Sequence, residues 1–323
     1  RGLNGAPSFS PDGQSMLFTA SMHGNPEIYQ MNLSTRQVQR MTNDSAIDTE
    51  ARYAPDGKSF IFTSDRGGSP QIYRFNFDDS SVKRLTFKGA FNARGTLSAD
   101  GKKIALVLES KADTSKPKTP KPIVIDRFLF KKDVEGYRER TFSNIFLFDV
   151  ASKKIDTLTK GNYEISSITW SPDGSKIAFV SNRTADPDRN ENTDIFVVET
   201  KAKSEAKQLT TWTGSDNAPV WSPDGKTIAY LRSTASEDYI MYDHSVLCTI
   251  NANGGEPTLL SKNLDRPVNT PRWAKDGQSI YALVVDDRYR YLANFSLTGN
   301  MKKTSEDKGI YSSLESHPNG NWL

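Results

Sequence analysis

The chain has 323 residues, 36% of them hydrophobic and 10% aromatic, with 42 basic side chains against 39 acidic. That mixture leaves apolar material for a real core and excludes the one-sided basic face of a nucleic-acid binder. Cys248 is the only cysteine, which excludes an intrachain disulfide and a cysteine-rich zinc site.

Taken in order, the chain keeps returning to one tetrapeptide. Ser10-Pro11-Asp12-Gly13 recurs as Ala54 to Gly57, Ser98 to Gly101, Ser171 to Gly174, Ser222 to Gly225 and Ala274 to Gly277. A seventh variant, His317-Pro318-Asn319-Gly320, lies near the C-terminus. Asp-Gly or Asn-Gly between apolar runs predicts a hairpin, because glycine tolerates positive φ. Proline before it cannot donate to a central ladder and marks where a strand stops.

Around each turn the same four parts recur. A short run (A) enters the turn and an alternating strand (B) leaves it, as in Ser15 to Thr19 and Ser59 to Thr63. A third strand (C) reads Ile28-Tyr29-Gln30-Met31-Asn32, and again Ile72 to Asn76, Ile145 to Asp149 and Ile195 to Glu199. The unit closes (D) with Met41-Thr42, Leu85-Thr86, Leu158-Thr159, Leu209-Thr210 or Leu260-Ser261. Four short strands per unit with no helical period predict an all-β fold, a β-propeller of four-stranded antiparallel blades. Six repeats are complete, and a truncated seventh follows Gly320. Either six blades close the ring or a seven-bladed ring is shortened.

The intervals separate two faces. Four times the closing threonine lies 15 residues before the next turn glycine, as from Thr42 to Gly57. From turn glycine to third strand the spacing instead runs from 15 residues (Gly13 to Ile28) to 44 (Gly101 to Ile145). Variation therefore sits in the B–C connections, which share a face with the D–A loops. Repeat proteins build binding surfaces on such a face.

The largest insertion, 108–142, is Lys/Pro-rich and then reads Ile123 to Phe130, an extra strand or a lining for the channel mouth. The loop Asp186 to Asp194 begins like a calcium loop, but lacks glycine at the sixth position and has Val197 at the twelfth. It reads as a solvated insertion, so no metal and no cofactor is expected. No Gly-x-Ser-x-Gly elbow occurs, and His23, His244 and His317 fall in different repeats, so no catalytic residue is assigned. Trp170, Trp221 and Trp273 each precede a turn, a placement that predicts packing between blades. No apolar run approaches the ~18–20 residues that span a bilayer, so no membrane insertion is expected. No signal peptide is visible after Arg1.

Two resemblances follow. Residues 5 to about 107 resemble the TolB propeller, through Phe62-Thr63-Ser64-Asp65-Arg66-Gly67-Gly68-Ser69-Pro70-Gln71-Ile72-Tyr73 and Asn92-Ala93-Arg94-Gly95. From about 110 onward the chain resembles the propeller of prolyl oligopeptidase-type peptidases, the acylaminoacyl-peptidase branch. That likeness rests on Ile123 to Tyr137, Ser143 to Asp149, Ser167 to Asn182, Asp186 to Glu199 and Asp265-Arg266-Pro267-Val268. The single domain 1–323 thus divides into TolB-like blades (1–107), the insertion (108–142) and peptidase-like blades (143–323). Two vocabularies in one ring suggest a chimera joined near Lys103 to Ser110, or a natural peptidase propeller with TolB-like first blades.

The first resemblance implies a non-catalytic periplasmic scaffold of the Tol–Pal system, with a Pal-like lipoprotein as partner. Asp48-Thr49-Glu50 matches that family's Asn-Thr-Glu stretch. The second implies a cytoplasmic substrate-gating propeller, whose chemistry belongs to an α/β-hydrolase domain. A third reading is a propeller made to test blade recombination. In each case the candidate contacts for a protein or peptide are loop-face residues: Asp48, Thr49, Glu50, Phe91, Asn92, Tyr163, Asp216, Asp265 and Arg266.

Overall fold

The computed structural model describes residues 4–87, 92, 95–109, 122, 125, 127–133, 136–137, 142–201, 204–234, 243–305, 309, 311–318 and 320. They form six antiparallel four-stranded sheets around a ring, plus one short two-stranded ribbon. Blade 1 comprises Asn4–Phe9, Ser15–Ala20, Glu27–Asn32 and Val38–Arg40. Blade 2 comprises Asp48–Tyr53, Ser59–Ser64, Gln71–Asn76 and Val82–Arg84. Blade 3 follows with Thr96–Leu97, Lys103–Glu109, Ser143–Asp149 and Ile155–Thr157, the insertion lying between its middle strands. Blade 4 is Ile165–Trp170, Lys176–Ser181, Asp194–Glu199 and Lys207–Gln208. Blade 5 is Asp216–Trp221, Thr227–Ser233, Ser245–Asn251 and Thr258–Leu259, and blade 6 is Val268–Trp273, Ser279–Asp286, Tyr289–Ser296 and Met301–Lys303.

Strands B and C are buried on both faces, because each blade is sandwiched between two others. Alternate residues face opposite neighbours. In blade 2, Phe60, Phe62, Tyr73 and Phe75 pack against Leu17 and Ile28 of blade 1, while Ile61 and Ile72 pack against Ile104 and Leu106 of blade 3. The three tryptophans stitch these layers. Each indole donates to an A-strand carbonyl of the preceding blade: Trp170 to Thr96 (3.1 Å), Trp221 to Thr169 (3.3 Å) and Trp273 to Val220 (3.0 Å).

The Asp-Gly turns are closed by more than glycine. Gly225 adopts φ of 70° and donates its N–H to the Ser222 carbonyl. The Ser222 hydroxyl donates to Asp224 at 2.6 Å and accepts from the Thr227 N–H at 3.0 Å. The serine therefore pins both ends of a four-residue connection, longer than a two-residue hairpin. At Asp173 the Ser171 hydroxyl, with help from Ser175, holds the carboxyl down to about 2.

The closing Leu-Thr pair has a comparable reason. Thr86 accepts the Ile72 N–H (3.0 Å) and donates to Gln71 (2.8 Å), tying strand D to the start of strand C. Thr42, Thr159, Thr210 and Ser261 accept the same C-strand N–H. A feature the repeat spacing does not reveal is a bulge in strand A. Glu50, Ser167, Ala218 and Thr270 occupy equivalent places there with φ between 49° and 59°.

Segment 311–318 closes the ring between blades 6 and 1. His317 packs edge-on against Phe9 and donates from Nε2 to the Gly13 carbonyl at 2.6 Å. Lys275 donates to the Pro318 carbonyl at 2.8 Å, and Glu315 lies between Arg52 (3.4 Å) and Arg272 (3.6 Å). Leu314 is buried beneath them. The seventh turn is thus part of the closure, and the four-stranded blades among the described residues number six.

Candidate protein-binding face

The D–A and B–C loops share one face, and backbone bonds join them. Asp48 N–H donates to the Pro26 carbonyl, Asn92 to Pro70 and Asp216 to Thr193. These three residues begin an A strand or lie just before one, and each is fully buried. Their side chains work inward. Asn92 donates to Gln71 at 2.8 Å. Asp48 accepts from Arg66 at 2.6 Å, and Asp216 takes both Nε and Nη2 of Arg232 at 2.9 Å. Burial pushes both carboxyls above their ordinary value, against the pull of the arginines. Arg66 lies over the rings of Phe62 and Tyr73, and Arg232 over Trp212 and Tyr230. The result is a repeated bracket of aromatic rings, arginine and aspartate that caps the core where it meets the loops.

The other predicted contacts divide by exposure. Thr49 is half-buried in the same A strand, and Glu50, at the bulge, accepts from Thr63 at 3.1 Å. Tyr163 is half-buried beneath the Arg183 guanidinium. Asp265 is exposed, and Arg266 pairs with Asp286 at 2.9 Å. Phe91 lies outside the described residues. Asp48, Asn92 and Asp216 therefore shape the face from below rather than offering side chains to a partner. A buried carboxylate needs donors, which Arg66 and Arg232 supply to Asp48 and Asp216, and the buried Asn92 amide donates to Gln71.

Sequence reasoning missed the apolar part of this face. Ile47 and Phe87, both in D–A loops, are 49% and 64% exposed. The insertion contributes a ribbon, Lys131–Lys132 paired with Gly136–Tyr137, flanked by exposed Phe128, Leu129 and Phe130. It is anchored at Arg127, which grips Asp188 of the next blade through Nε (2.8 Å) and Nη2. The signal was present in Phe128-Leu129-Phe130, where the alternation suited a strand. The calcium-like loop is instead knotted by amide contacts, Asn182 to Asn190 (2.9 Å) and Asn190 to Thr184 (3.0 Å).

Asp194 adds a titratable element. It accepts from Gln208 (2.8 Å) and Thr210 (3.0 Å), and burial, with the charge of Asp216, pushes it up to about 6.

With this architecture in view, the family model described as the TolB beta propeller domain matches residues 1–119 and 136–323. The chain belongs to that family. The Tol-Pal system protein TolB of Alcanivorax borkumensis is 52% identical over 81 residues, 25% of this chain and 17% of that protein. Dipeptidyl-peptidase 5 of Porphyromonas gingivalis is 27% identical over 150 residues, 46% of this chain and 22% of the peptidase. The acylaminoacyl peptidase of Pyrococcus horikoshii superposes with a TM-score of 0.72 at 16% identity, covering 95% of this chain and 46% of that one, a likeness of fold. The match thus spans about a fifth of each of these two curated relatives. All the described strands belong to the propeller or its insertion, and among the described residues no helix is long and apolar enough to cross a membrane.

Proposed function

We propose that the chain is a non-catalytic propeller scaffold that binds a protein or peptide through its loop face. The observation that carries this reading is the contrast on that face. Buried brackets fix its backbone, while Ile47, Phe87 and Phe128 stand exposed above them. A TolB-like role assigns the partner as a Pal-type lipoprotein and the compartment as the periplasm, and the family match supports it. Binding of a purified peptidoglycan-associated lipoprotein, measured by calorimetry, tests the reading. Thr49→Arg should abolish that binding, and a turn-face change, Lys226→Glu, should not.

The likeness to dipeptidyl-peptidase 5 favours a second reading, a cytoplasmic propeller that filters substrates for a prolyl oligopeptidase-type hydrolase domain. Turnover of acyl-peptide chromogenic substrates by this chain would overturn the non-catalytic reading. The two repeat vocabularies also support a fusion of two propeller lineages within blade 3, with no selected function as its extreme form. Tryptic peptides matched to a source proteome test it: one native gene spanning Gly95 to Ser143 would sink the fusion.

A further inference from the structure

The three bracket arginines are not equivalent. Arg66 and Arg232 each hold a buried aspartate, Asp48 and Asp216, that opens strand A of the same blade. In blade 4 the corresponding arginine is Arg183. Its register partner strand shows the difference, since Ile165 pairs with Ser181 as Asp48 pairs with Ser64. Isoleucine thus stands where blades 2 and 5 place the carboxylate. Arg183 keeps the rest of the bracket and lies over three rings, Phe196 at 4.2 Å, Tyr163 at 4.8 Å and Phe179 at 5.5 Å. Its Nε is buried without a hydrogen-bond partner. Burial presses its pKa downward, the mark of a cation that lacks its counter-charge.

Nearby carboxylates are committed elsewhere. Asp188 is gripped by Arg127, Glu164 lies 3.9 Å from the same guanidinium, and Asp194 is held by Gln208 and Thr210. The described part of the insertion is held at this junction of blades 3 and 4 by the pair of Arg127 with Asp188. Phe128, Phe130 and Tyr137 are exposed on it.

We propose that the loop-face junction of blades 3 and 4 is a recognition site for an acidic, aromatic-bearing peptide segment. One carboxylate of that segment supplies Arg183 with the counter-charge that Asp48 and Asp216 give to Arg66 and Arg232. Guanidinium matches a carboxylate in a two-point fork, and the aromatic floor holds the fork in plane. The apolar side chains of the peptide then rest on Phe128 and Tyr137. This inference rests on the loop-face reading above and names the chemistry of the partner.

The test is a fluorescence-anisotropy titration with a short labelled peptide of alternating Glu, Phe and Leu, beside its Gln-for-Glu counterpart. The acidic peptide should bind and the amide peptide should bind about tenfold more weakly or worse. Arg183→Met, which keeps the aliphatic stem over the rings, should cost the acidic peptide a similar factor. Ile165→Asp, which restores the internal carboxylate, should occupy Arg183 and abolish binding. Equal affinity for both peptides, unchanged affinity in Arg183→Met, or binding of anionic phosphatidylglycerol vesicles in preference to the peptide would each overturn the proposal. Lipoprotein binding separates the two levels. Loss in Thr49→Arg with full binding in Arg183→Met overturns this site and leaves the loop-face reading standing, whereas full binding in both overturns both.

Discussion

On the turn face, Ser10, Ser98, Ser171 and Ser222 make one and the same contact, a hydroxyl donated at 2.6 Å to the aspartate two residues on. On the loop face blades 2 and 5 share one bracket and blades 3 and 4 depart from it. Arg66 holds Asp48, Arg232 holds Asp216 in a two-point pair, blade 4 has Ile165 where blade 2 has Asp48, and Asn92 uses Gln71. The turn contacts are local, two residues apart in sequence, so each blade solves them alone. The loop-face contacts are buried and long in sequence, so each depends on its neighbours. Repetition marks where structure is secured, and divergence marks where a partner can be read.

That contrast predicts unequal costs. The largest should follow Asp216→Ala, which strands the Arg232 cation over its rings and should cost about 3–5 kcal/mol of unfolding free energy in urea. Thr86→Val removes a buried donor and acceptor at once and should cost about 1–3 kcal/mol in the same assay. Gly225→Ala on the turn face forces a Cβ into φ of 70° and should cost about 1 kcal/mol. A turn substitution that outweighs Asp216→Ala would break the comparison between the faces.

The smallest effects sharpen it. Folding raises Asp194 to about 6, so the folded state holds this proton more tightly than the unfolded one. Acidification from about pH 7 towards pH 4 therefore adds stability through this group, and Asp194→Asn should flatten the thermal midpoint over that window. The depressed turn carboxyls act oppositely and lower down. Asp173, held near 2, contributes above its ordinary value of 3.8, and that contribution fades as pH falls towards 2. Arg266→Ala breaks an exposed pair with Asp286 and should leave the midpoint unchanged.

The four-stranded blade and the two faces were legible in the sequence because they depend on spacing, whereas the choice between six and seven blades was not. A turn glycine, a closing threonine and an apolar alternation each report local geometry, and 15-residue intervals repeat it. The seventh turn was legible too, but its role was not. His317 meets Gly13 across the whole chain, and no local pattern encodes that contact. For the same reason Asp48, Asn92 and Asp216 read as surface residues. Polar side chains at loop ends are usually solvated, and only the fold shows that they lie under the loops with partners inside the protein. The A-strand bulge left no trace either, because Glu50, Ser167, Ala218 and Thr270 share a backbone conformation and no chemistry.

The central claim is that the loop face, not the turn face, receives the partner. Hydrogen–deuterium exchange of the chain with and without a peptidoglycan-associated lipoprotein tests it directly. The account predicts slowed exchange in 42–50, 64–71 and 182–194, with no change around Gly57, Gly174 and Gly225. Protection confined to those turns, with the loops unaffected, would contradict it.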